Sequence, residues 1–245
     1  MEPANQEKMV ELLKEMSEQN KQLLTEIRAI KRELFRNIHE PATQPVMKKH
    51  AAEDSAEYLT TTYPDVMIYL YKSQTLDFAL EKVTLDGQYL EFGVSAGRSI
   101  TQTAKRKPNF TIYGFDSFFG LPEDWTGTGK AAGDFDRKGK LPPVPENVTL
   151  IQGWFKNSIS QWRAEHEGPI AFCHIDCDLY SSTVDVLKGV GDLFQKGTIL
   201  VFDDYFGYPN WRNGEHKAFL EFLAETGFGH KALAISNQVL VVELT

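Results

Sequence analysis

The chain has 245 residues, and its 26 Lys and Arg against 34 Asp and Glu give a net charge of −8. This length suits one α/β domain with an extension. The acidic balance argues against a nucleic-acid partner, and no apolar run approaches the roughly 20 residues of a membrane span. The N-terminus is charged and lacks the apolar segment of a signal peptide. We therefore expect a cytoplasmic protein with no membrane partner, in which Cys173 and Cys177 are buried thiols.

Residues 1–40 carry a heptad stripe, which predicts a helix that self-associates as a coiled coil. An Asn at one a position and an Ile at another favour a parallel dimer with a defined register. The alternative is a helix that packs its apolar stripe onto its own domain. The a positions are Leu13, Asn20, Ile27 and Leu34, and the d positions are Met9, Met16, Leu23 and Ile30.

Residues 41–55 are polar and include Pro41 and Pro45, a composition typical of a linker. Residues 56–245 then show alternating strands and helices. This division predicts an N-terminal oligomerisation helix over 1–40, a linker over 41–55 and one larger domain after it.

Strand-like apolar runs recur through the larger domain, and helix-length segments separate most of them. Such alternation indicates a mostly parallel sheet that is covered on both faces. The last two runs are joined so tightly that they form an antiparallel hairpin, so we expect an α/β fold with seven strands. The predicted strands are Gln88–Val94, Thr111–Phe115, Val148–Gln152, Ile170–Ile175, Thr198–Phe202, Lys231–Ile235 and Val239–Leu244, and the helices are Arg98–Arg106, Asn157–Glu165, Ser182–Phe194 and Glu215–Glu225.

The segment Phe118–Asn147 interrupts this alternation. Its five Gly and four Pro make a regular helix over most of its length unfavourable. Loops of this length in compact domains are usually functional or disordered. We expect a flap near the substrate, and an insertion without function is the alternative.

A glycine-bearing turn follows the first of these strands, with Gly93 and Gly97 between Glu91 and the next helix. Glycine permits a tight turn and the close approach of a ligand. The spacing differs from that of the dinucleotide fingerprint, which disfavours a nicotinamide oxidoreductase. Asp116 ends the next strand, where a carboxylate can accept ribose hydroxyls, and Gly153 with Trp154 could frame an adenine ring.

Carboxylates also follow two later strands: Asp176 and Asp178 after one, and Asp203 and Asp204 after the next. If these strands are neighbours, Asp176, Asp203 and Asp204 converge at the edge where open α/β sheets bind ligands. Carboxylates that close do not all stay ionised without a cation. Mg²⁺ is the natural choice for oxygen ligands. Alternatively, Asp178 or Asp204 caps the following helix.

These motifs, in this order, resemble the macrocin O-methyltransferase family of class I, metal-dependent methyltransferases. The resemblance implies a Rossmann-like class I fold, S-adenosylmethionine as cofactor, and Asp176, Asp203 and Asp204 as ligands of Mg²⁺ or another divalent cation. It also implies a small-molecule acceptor whose hydroxyl is methylated, typically on a sugar of a natural product. The matching stretches are Glu91–Gly97, Gly114–Phe118 with Gly120–Pro122, Gly153–Phe155, Asp176–Thr183 and Asp203–Tyr205.

The expected mechanism is direct methyl transfer to a hydroxyl that the metal has made acidic. Asp176 or Asp178 would take the proton, and His216 is a further candidate base. Within the cofactor set, Glu91 is assigned to the amino-acid end and Asp116 to the ribose. The full predicted cofactor set is Glu91, Gly93, Ser95, Gly97, Ser99, Asp116, Ser117, Gly153 and Trp154.

Two features depart from the family pattern and leave the acceptor open. The N-terminal coil replaces a region that often shapes the acceptor pocket, and Ser181 stands where an acidic residue is common. A catechol-type methyltransferase, which would share metal and cofactor, is one alternative reading. A non-catalytic oligomeric scaffold is the other.

Overall fold

The computed structural model describes residues 16–31 and 43–245. The heptad positions Met9, Leu13 and Leu34 lie outside these residues. The chain divides into two units between Met47 and Lys48. In the described part of the chain, no helix combines the length and the hydropathy needed to cross a bilayer.

Residues 16–31 form a helix, α1, in agreement with the predicted helical stripe. Its apolar side chains are open to solvent within the described structure: Leu23 is 53% exposed, Ile27 50% and Ile30 65%. Lys21 pairs with Glu18 one turn earlier on the polar part of the helix, at 2.7 Å. The apolar stripe is therefore present on a helix, and self-association stays a prediction.

The described residues form six further α-helices, and the first of them lies where a linker was predicted. Helix α2 covers most of the predicted linker. Its Pro45 lies in the first turn, where a missing N–H removes no intrahelical hydrogen bond. Proline at this place is therefore compatible with a helix. The bounds are α2 Thr43–Thr62, α3 Lys72–Lys82, α4 Arg98–Arg106, α5 Phe155–Arg163, α6 Tyr180–Val190 and α7 Glu215–Thr226.

The strands of the described chain form one sheet in the order β1-β7-β8-β6-β5-β2-β3-β4. The predicted α/β fold with a terminal hairpin is confirmed. The sheet has eight strands instead of seven because a two-residue strand, β1, pairs with β7 at one edge. Strand β8 runs antiparallel to both of its neighbours. The bounds are β1 Met67–Ile68, β2 Gln88–Phe92, β3 Ile112–Asp116, β4 Val148–Gln152, β5 Ile170–Ile175, β6 Ile199–Phe202, β7 His230–Ser236 and β8 Val239–Leu244.

The centre of the sheet is buried on both faces, as the continuous apolar runs predict. Every residue of β5 is buried. Alternate side chains enter two separate apolar clusters: Leu90 and Phe92 join one, while Tyr89 and Phe172 join the other. Because helices cover both clusters, polar groups of the central strands reach solvent only at the strand ends.

Backbone pairing continues one residue past the carboxyl ends of the central strands. Gly93 N–H donates to Phe115 at 2.9 Å, and Asp176 N–H donates to Phe92 at 2.8 Å. Gly153 N–H and Asp203 N–H make equivalent bonds to the neighbouring strand ends, each at 2.9 Å. The residues that follow β6, β5, β2 and β4 are thereby held side by side along one edge.

We predict that Ser55→Ala destabilises the domain by about 1–3 kcal/mol, because it leaves a backbone donor without its partner. Ser55, in α2, is buried, donates to the carbonyl of Ala51 at 2.6 Å and accepts from Gly207 N–H at 2.9 Å. Urea unfolding measures the change. Thr60→Ala, which removes an exposed hydroxyl from the same helix, is the control. Equal losses in the two variants would contradict the packing of α2 on the domain.

Candidate active site

A cavity of about 520 Å³ opens at the carboxyl edge of the sheet. It lies where the loops after β2, β3, β4 and β5 meet. Residues predicted to bind the cofactor and residues of the predicted acidic site therefore line the same cavity. The predicted site residues that line it are Gly93, Ser95, Asp116, Ser117, Gly153, Trp154, Asp176 and Asp178.

Gly93 brings the loop after β2 against the end of β5. Its φ is +95°, and a Cβ there would lie 1.7 Å from the carbonyl oxygen of Asp176. Any other residue would have to displace that carbonyl and adopt an unfavourable backbone conformation. Glycine at this position therefore allows the glycine turn and the acidic strand end to meet.

Asp116 joins the glycine turn to the loop after β3. Its Oδ2 accepts hydrogen bonds from Val94 N–H at 2.9 Å and Ser95 N–H at 2.7 Å. Its Oδ1 accepts one from Phe118 N–H at 2.6 Å. A carboxylate oxygen has two acceptor sites, so Oδ1 keeps one for a ligand in the cavity.

Three predicted cofactor residues, Glu91, Gly97 and Ser99, lie outside the cavity lining. Glu91 is 1% exposed, and its Oε1 accepts from the Ser99 hydroxyl at 2.8 Å. Its Oε2 lies 3.1 Å from Nδ1 of His174. Gly97, with φ +78°, precedes α4. The side chain of Glu91 points toward the sheet interior, where His174 lies. These residues therefore support the glycine loop from the side away from the cavity.

Glu91, His174, Asp203 and Lys72 form a line of alternating charge, here termed the charged quartet. His174 Nε2 lies 3.7 Å from Asp203 Oδ1, and Lys72 donates to Asp203 Oδ2. Burial opposes a charged imidazole, but the adjacent carboxylates of Asp203 and Glu91 hold the pKa of His174 well above its usual value. Burial alone would raise the pKa of Asp203, whereas His174 and Lys72 lower it to about 2.

Two members of this quartet, His174 and Lys72, are not among the residues predicted from the sequence. His174 stands two residues before Asp176, and residues two apart on a strand share a face, so this spacing was an available signal. Lys72 is 131 positions from Asp203 and lies on α3. No local pattern indicates that contact.

The remaining carboxylates form a second group beside the quartet. Oxygens of Asp176, Asp178 and Asp204 lie within 4.8 Å of one another. Burial, and then the neighbouring Asp204, raise the pKa of Asp178 to about 8. Burial and Asp203 raise that of Asp204 to about 6. These ionisations are unfavourable because the oxygens crowd one another, and a hard divalent cation suits such an oxygen donor set.

Glu215 is a further buried carboxyl at this group that was not predicted from the sequence. It is 0% exposed, and its Oε2 accepts from the backbone N–H of Asp204 at 3.1 Å. Its Oε1 has no hydrogen-bond partner among the described residues. Burial, followed by the charge of Asp204, raises its pKa well above the usual value.

His216, predicted as a candidate base, is separated from the cavity. It is buried in a cage of aromatic rings, with centroids 5.1 Å from Tyr58, 5.1 Å from Tyr205 and 4.8 Å from Trp211. Burial lowers its pKa to about 4. Consecutive helical residues point about 100° apart, so Glu215 faces the acidic group while His216 faces the aromatic cage.

The segment Phe118–Asn147 forms one wall of the cavity. Leu121 exchanges backbone hydrogen bonds at 2.9 Å with Gly133 and Asp134, which closes part of the segment into a loop. Glu123 accepts from the Ser181 hydroxyl at 2.6 Å, tying the loop to α6. The lining residues of this segment are Gly120, Leu121, Pro122, Glu123 and Phe135.

The comparisons with known proteins agree with this geometry. Residues 90–205, from β2 to just past β6, match a family model described as a methyltransferase domain. The chain is 27% identical, over 57% of its own length, to the 8-demethyl-8-(2,3-dimethoxy-α-L-rhamnosyl)-tetracenomycin-C 4′-O-methyltransferase of Streptomyces olivaceus. It spans 62% of the length of that relative.

Solved structures share the fold. The calicheamicin methyltransferase CalS11 superposes with a TM-score of 0.59 at 22% identity, covering 84% of this chain and 94% of that one. The O-methyltransferase NovP gives 0.54 at 21% identity, covering 71% of this chain and 79% of that one. The predicted resemblance is thus confirmed: residues 90–205 match a methyltransferase-domain model, and the chain shares the fold of these methyltransferases.

Proposed function

We propose that this protein is an S-adenosylmethionine-dependent O-methyltransferase that acts on a hydroxyl of a sugar or sugar-bearing natural product, with a divalent cation such as Mg²⁺. The main support is that the glycine turn and two carboxylates of the acidic group, Asp176 and Asp178, line one cavity. The tetracenomycin relative is named for methylation of a rhamnosyl group, which favours a sugar over a catechol.

The cofactor would occupy the part of the cavity formed by the loops after β2, β3 and β4. Oδ1 of Asp116 would accept a ribose hydroxyl. Trp154 is 46% exposed beside Gly153 and offers a ring face for adenine. Ser95 and Ser117 provide hydroxyls nearby, while Glu91 and Ser99 would support the loop. The cofactor supplies a methyl group that its sulfonium has already activated.

The acceptor would lie beside the acidic group, under the wall formed by residues 118–147. A cation held by Asp176 and its neighbours Asp178, Asp203 and Asp204 would supply a Lewis acid that favours ionisation of a hydroxyl. Asp176 and Asp178 line the cavity, so an oxygen of either would take the proton. Positioning the hydroxyl behind the methyl group would provide much of the remaining acceleration.

We also propose that α1 makes the enzyme a dimer through a parallel coiled coil. The described apolar a and d positions, including Leu23, Ile27 and Ile30, are half or more exposed on the helix. Asn20 between them would set the register, because a buried Asn pairs best with the same residue of a second copy.

We expect Gly93→Ala to weaken binding of S-adenosylhomocysteine about tenfold or more, because the added Cβ must displace the Asp176 carbonyl that borders the cavity. Calorimetry measures the affinity, with NADH as a ligand that should not bind. Gly227→Ala is the control, since that glycine has a similar φ of +76° and open space around it. Unchanged affinity in Gly93→Ala would contradict the placement of the cofactor.

Methyl transfer from S-adenosylmethionine to rhamnose-bearing acceptors should fall about 100-fold or more in EDTA and in Asp176→Asn. The substitution removes both a cation ligand and a candidate base, and general-base catalysis alone contributes on the order of 10²–10⁴. Asp185→Asn, which alters the same cavity outside the acidic group, should retain most activity. Full activity in EDTA and in Asp176→Asn would remove both the cation and Asp176 from the mechanism.

Leu23→Glu should convert a dimer of the full chain to a monomer, because it places a charge in the apolar seam. Light scattering coupled to gel filtration measures the mass. Thr25→Glu, at an exposed f position of the same helix, should leave the dimer intact. A wild-type chain that elutes as a monomer would contradict the coiled coil.

A further inference from the structure

The wall of the cavity contains a strained aromatic residue. Phe135 has φ +68°, in the left-handed region that favours glycine, and a bulky residue is uncommon there. Phe135 also lines the cavity and is 48% exposed. Seven non-glycine residues of the described chain have positive φ, and three of them, Ser95, Phe135 and Asp178, line this cavity. Strained residues that gather at one cavity point to a ligand.

Hydrogen bonds on both sides of Phe135 impose its backbone conformation. The carbonyl of Asp134, the residue before it, accepts from Leu121 N–H at 2.9 Å. The N–H of Asp136, the residue after it, donates to the carbonyl of Gly133 at 3.2 Å. The loop therefore fixes both neighbours of Phe135, and the strained conformation persists because its surroundings hold it.

Packing of the Phe135 ring does not account for this strain. Phe118 in the same segment has φ +59°, but its ring is 1% exposed within an apolar cluster, so burial offsets the cost. Phe135 has about half of its surface in solvent, and Lys130 Nζ lies 4.9 Å from its ring centroid. A cation over an exposed ring is a weak contact compared with the cost of a bulky residue at this φ.

The loop that carries Phe135 also reaches the acidic side of the cavity. Glu123 of this loop accepts from the Ser181 hydroxyl at 2.6 Å, and both residues line the cavity. Ser181 stands three positions after Asp178, in the first turn of α6. Trp154 already offers a ring face on the proposed cofactor side. Phe135 is therefore the aromatic residue that is available to the acceptor.

A pyranose ring offers the two kinds of contact that this part of the cavity provides. Its C–H groups form an apolar face, which packs on the electron-rich face of an aromatic ring. Its hydroxyls suit a carboxylate, and Ser181 uses only one of the roughly four acceptor sites on Glu123. A flat catechol has the first kind of contact without an array of hydroxyls around the ring.

We propose that Phe135 is a specificity-determining residue whose ring binds the C–H face of the acceptor sugar. The strained backbone holds the ring in the cavity, where packing against its own domain would otherwise draw it away. This role rests on the proposed function, because it concerns the acceptor of that reaction.

The test is binding of methyl α-L-rhamnoside to the full chain loaded with S-adenosylhomocysteine and Mg²⁺, measured by saturation-transfer NMR. Phe135→Gly should weaken this binding about fivefold or more, because the ring contact is lost. Saturation transfer from aromatic protons of the protein to the sugar C–H protons should fall as well. Phe135→Tyr keeps the ring and should stay within about twofold of the wild type. Calorimetry should show unchanged affinity for S-adenosylhomocysteine in both variants.

The glycine substitution also separates this role from a structural one. Glycine adopts φ +68° without strain, so the Tm of Phe135→Gly should equal or exceed that of the wild type. Lys138→Gly is the matched control, because Lys138 is exposed, has φ +56° in the same segment and lies outside the cavity lining. It should likewise keep or raise the Tm, and it should leave rhamnoside binding unchanged.

Three results would overturn the role of Phe135 in sugar binding. The first is unchanged rhamnoside affinity in Phe135→Gly, or no rhamnoside binding by the wild-type chain. The second is a lower Tm in Phe135→Gly, which would make the ring a structural element. The third is a loss of S-adenosylhomocysteine affinity in that variant, which would assign the ring to the cofactor. The proposed function fails separately, if the wild-type chain neither binds S-adenosylhomocysteine nor transfers a methyl group to any hydroxyl acceptor.

Discussion

The crowding of buried carboxyl groups at the ends of β5 and β6 is the constraint on which the rest of the site depends. Asp176, Asp178, Asp203, Asp204 and Glu215 lie together, and the described structure brings Lys72 and His174 to only one side of them. Like charges at this spacing are unfavourable in a low-dielectric interior. A ligand that offsets this cost would explain the arrangement, which is why we propose that this edge is the functional one.

The parallel sheet determines where this crowding occurs. Its central strands are covered on both faces, so polar side chains become accessible only where a strand ends. The backbone bonds made by Gly93, Gly153, Asp176 and Asp203 keep those ends aligned. The proposed nucleoside site after β2, β3 and β4 and the acidic group after β5 and β6 are therefore neighbours. Methyl transfer to a hydroxyl needs such adjacency, because donor and acceptor must meet in line.

Sequence patterns predicted most of the sheet, because strands with continuous apolar runs and glycine-marked turns are local signals. They were less informative about α2, where polar composition and two prolines suggested a linker. The tertiary contacts of Ala51 and Ser55 stabilise a helix there. Glu91 and His216 show that residue type and local pattern do not establish whether a side chain reaches the cavity. Both are plausible site residues by type, yet one pairs with His174 behind the loop and the other lies in an aromatic cage.

By itself, the sequence determined the fold class, the glycine turn and the acidic strand ends, since each depends on residues close together in the chain. The tertiary structure decided the charge balance among those acids. Lys72 arrives from a helix 131 positions away from Asp203, and Glu215 from the start of α7. Electrostatic interactions depend on distance in space and on burial, and neither quantity is encoded in local spacing. For that reason the partners of each carboxylate emerged only from the folded chain.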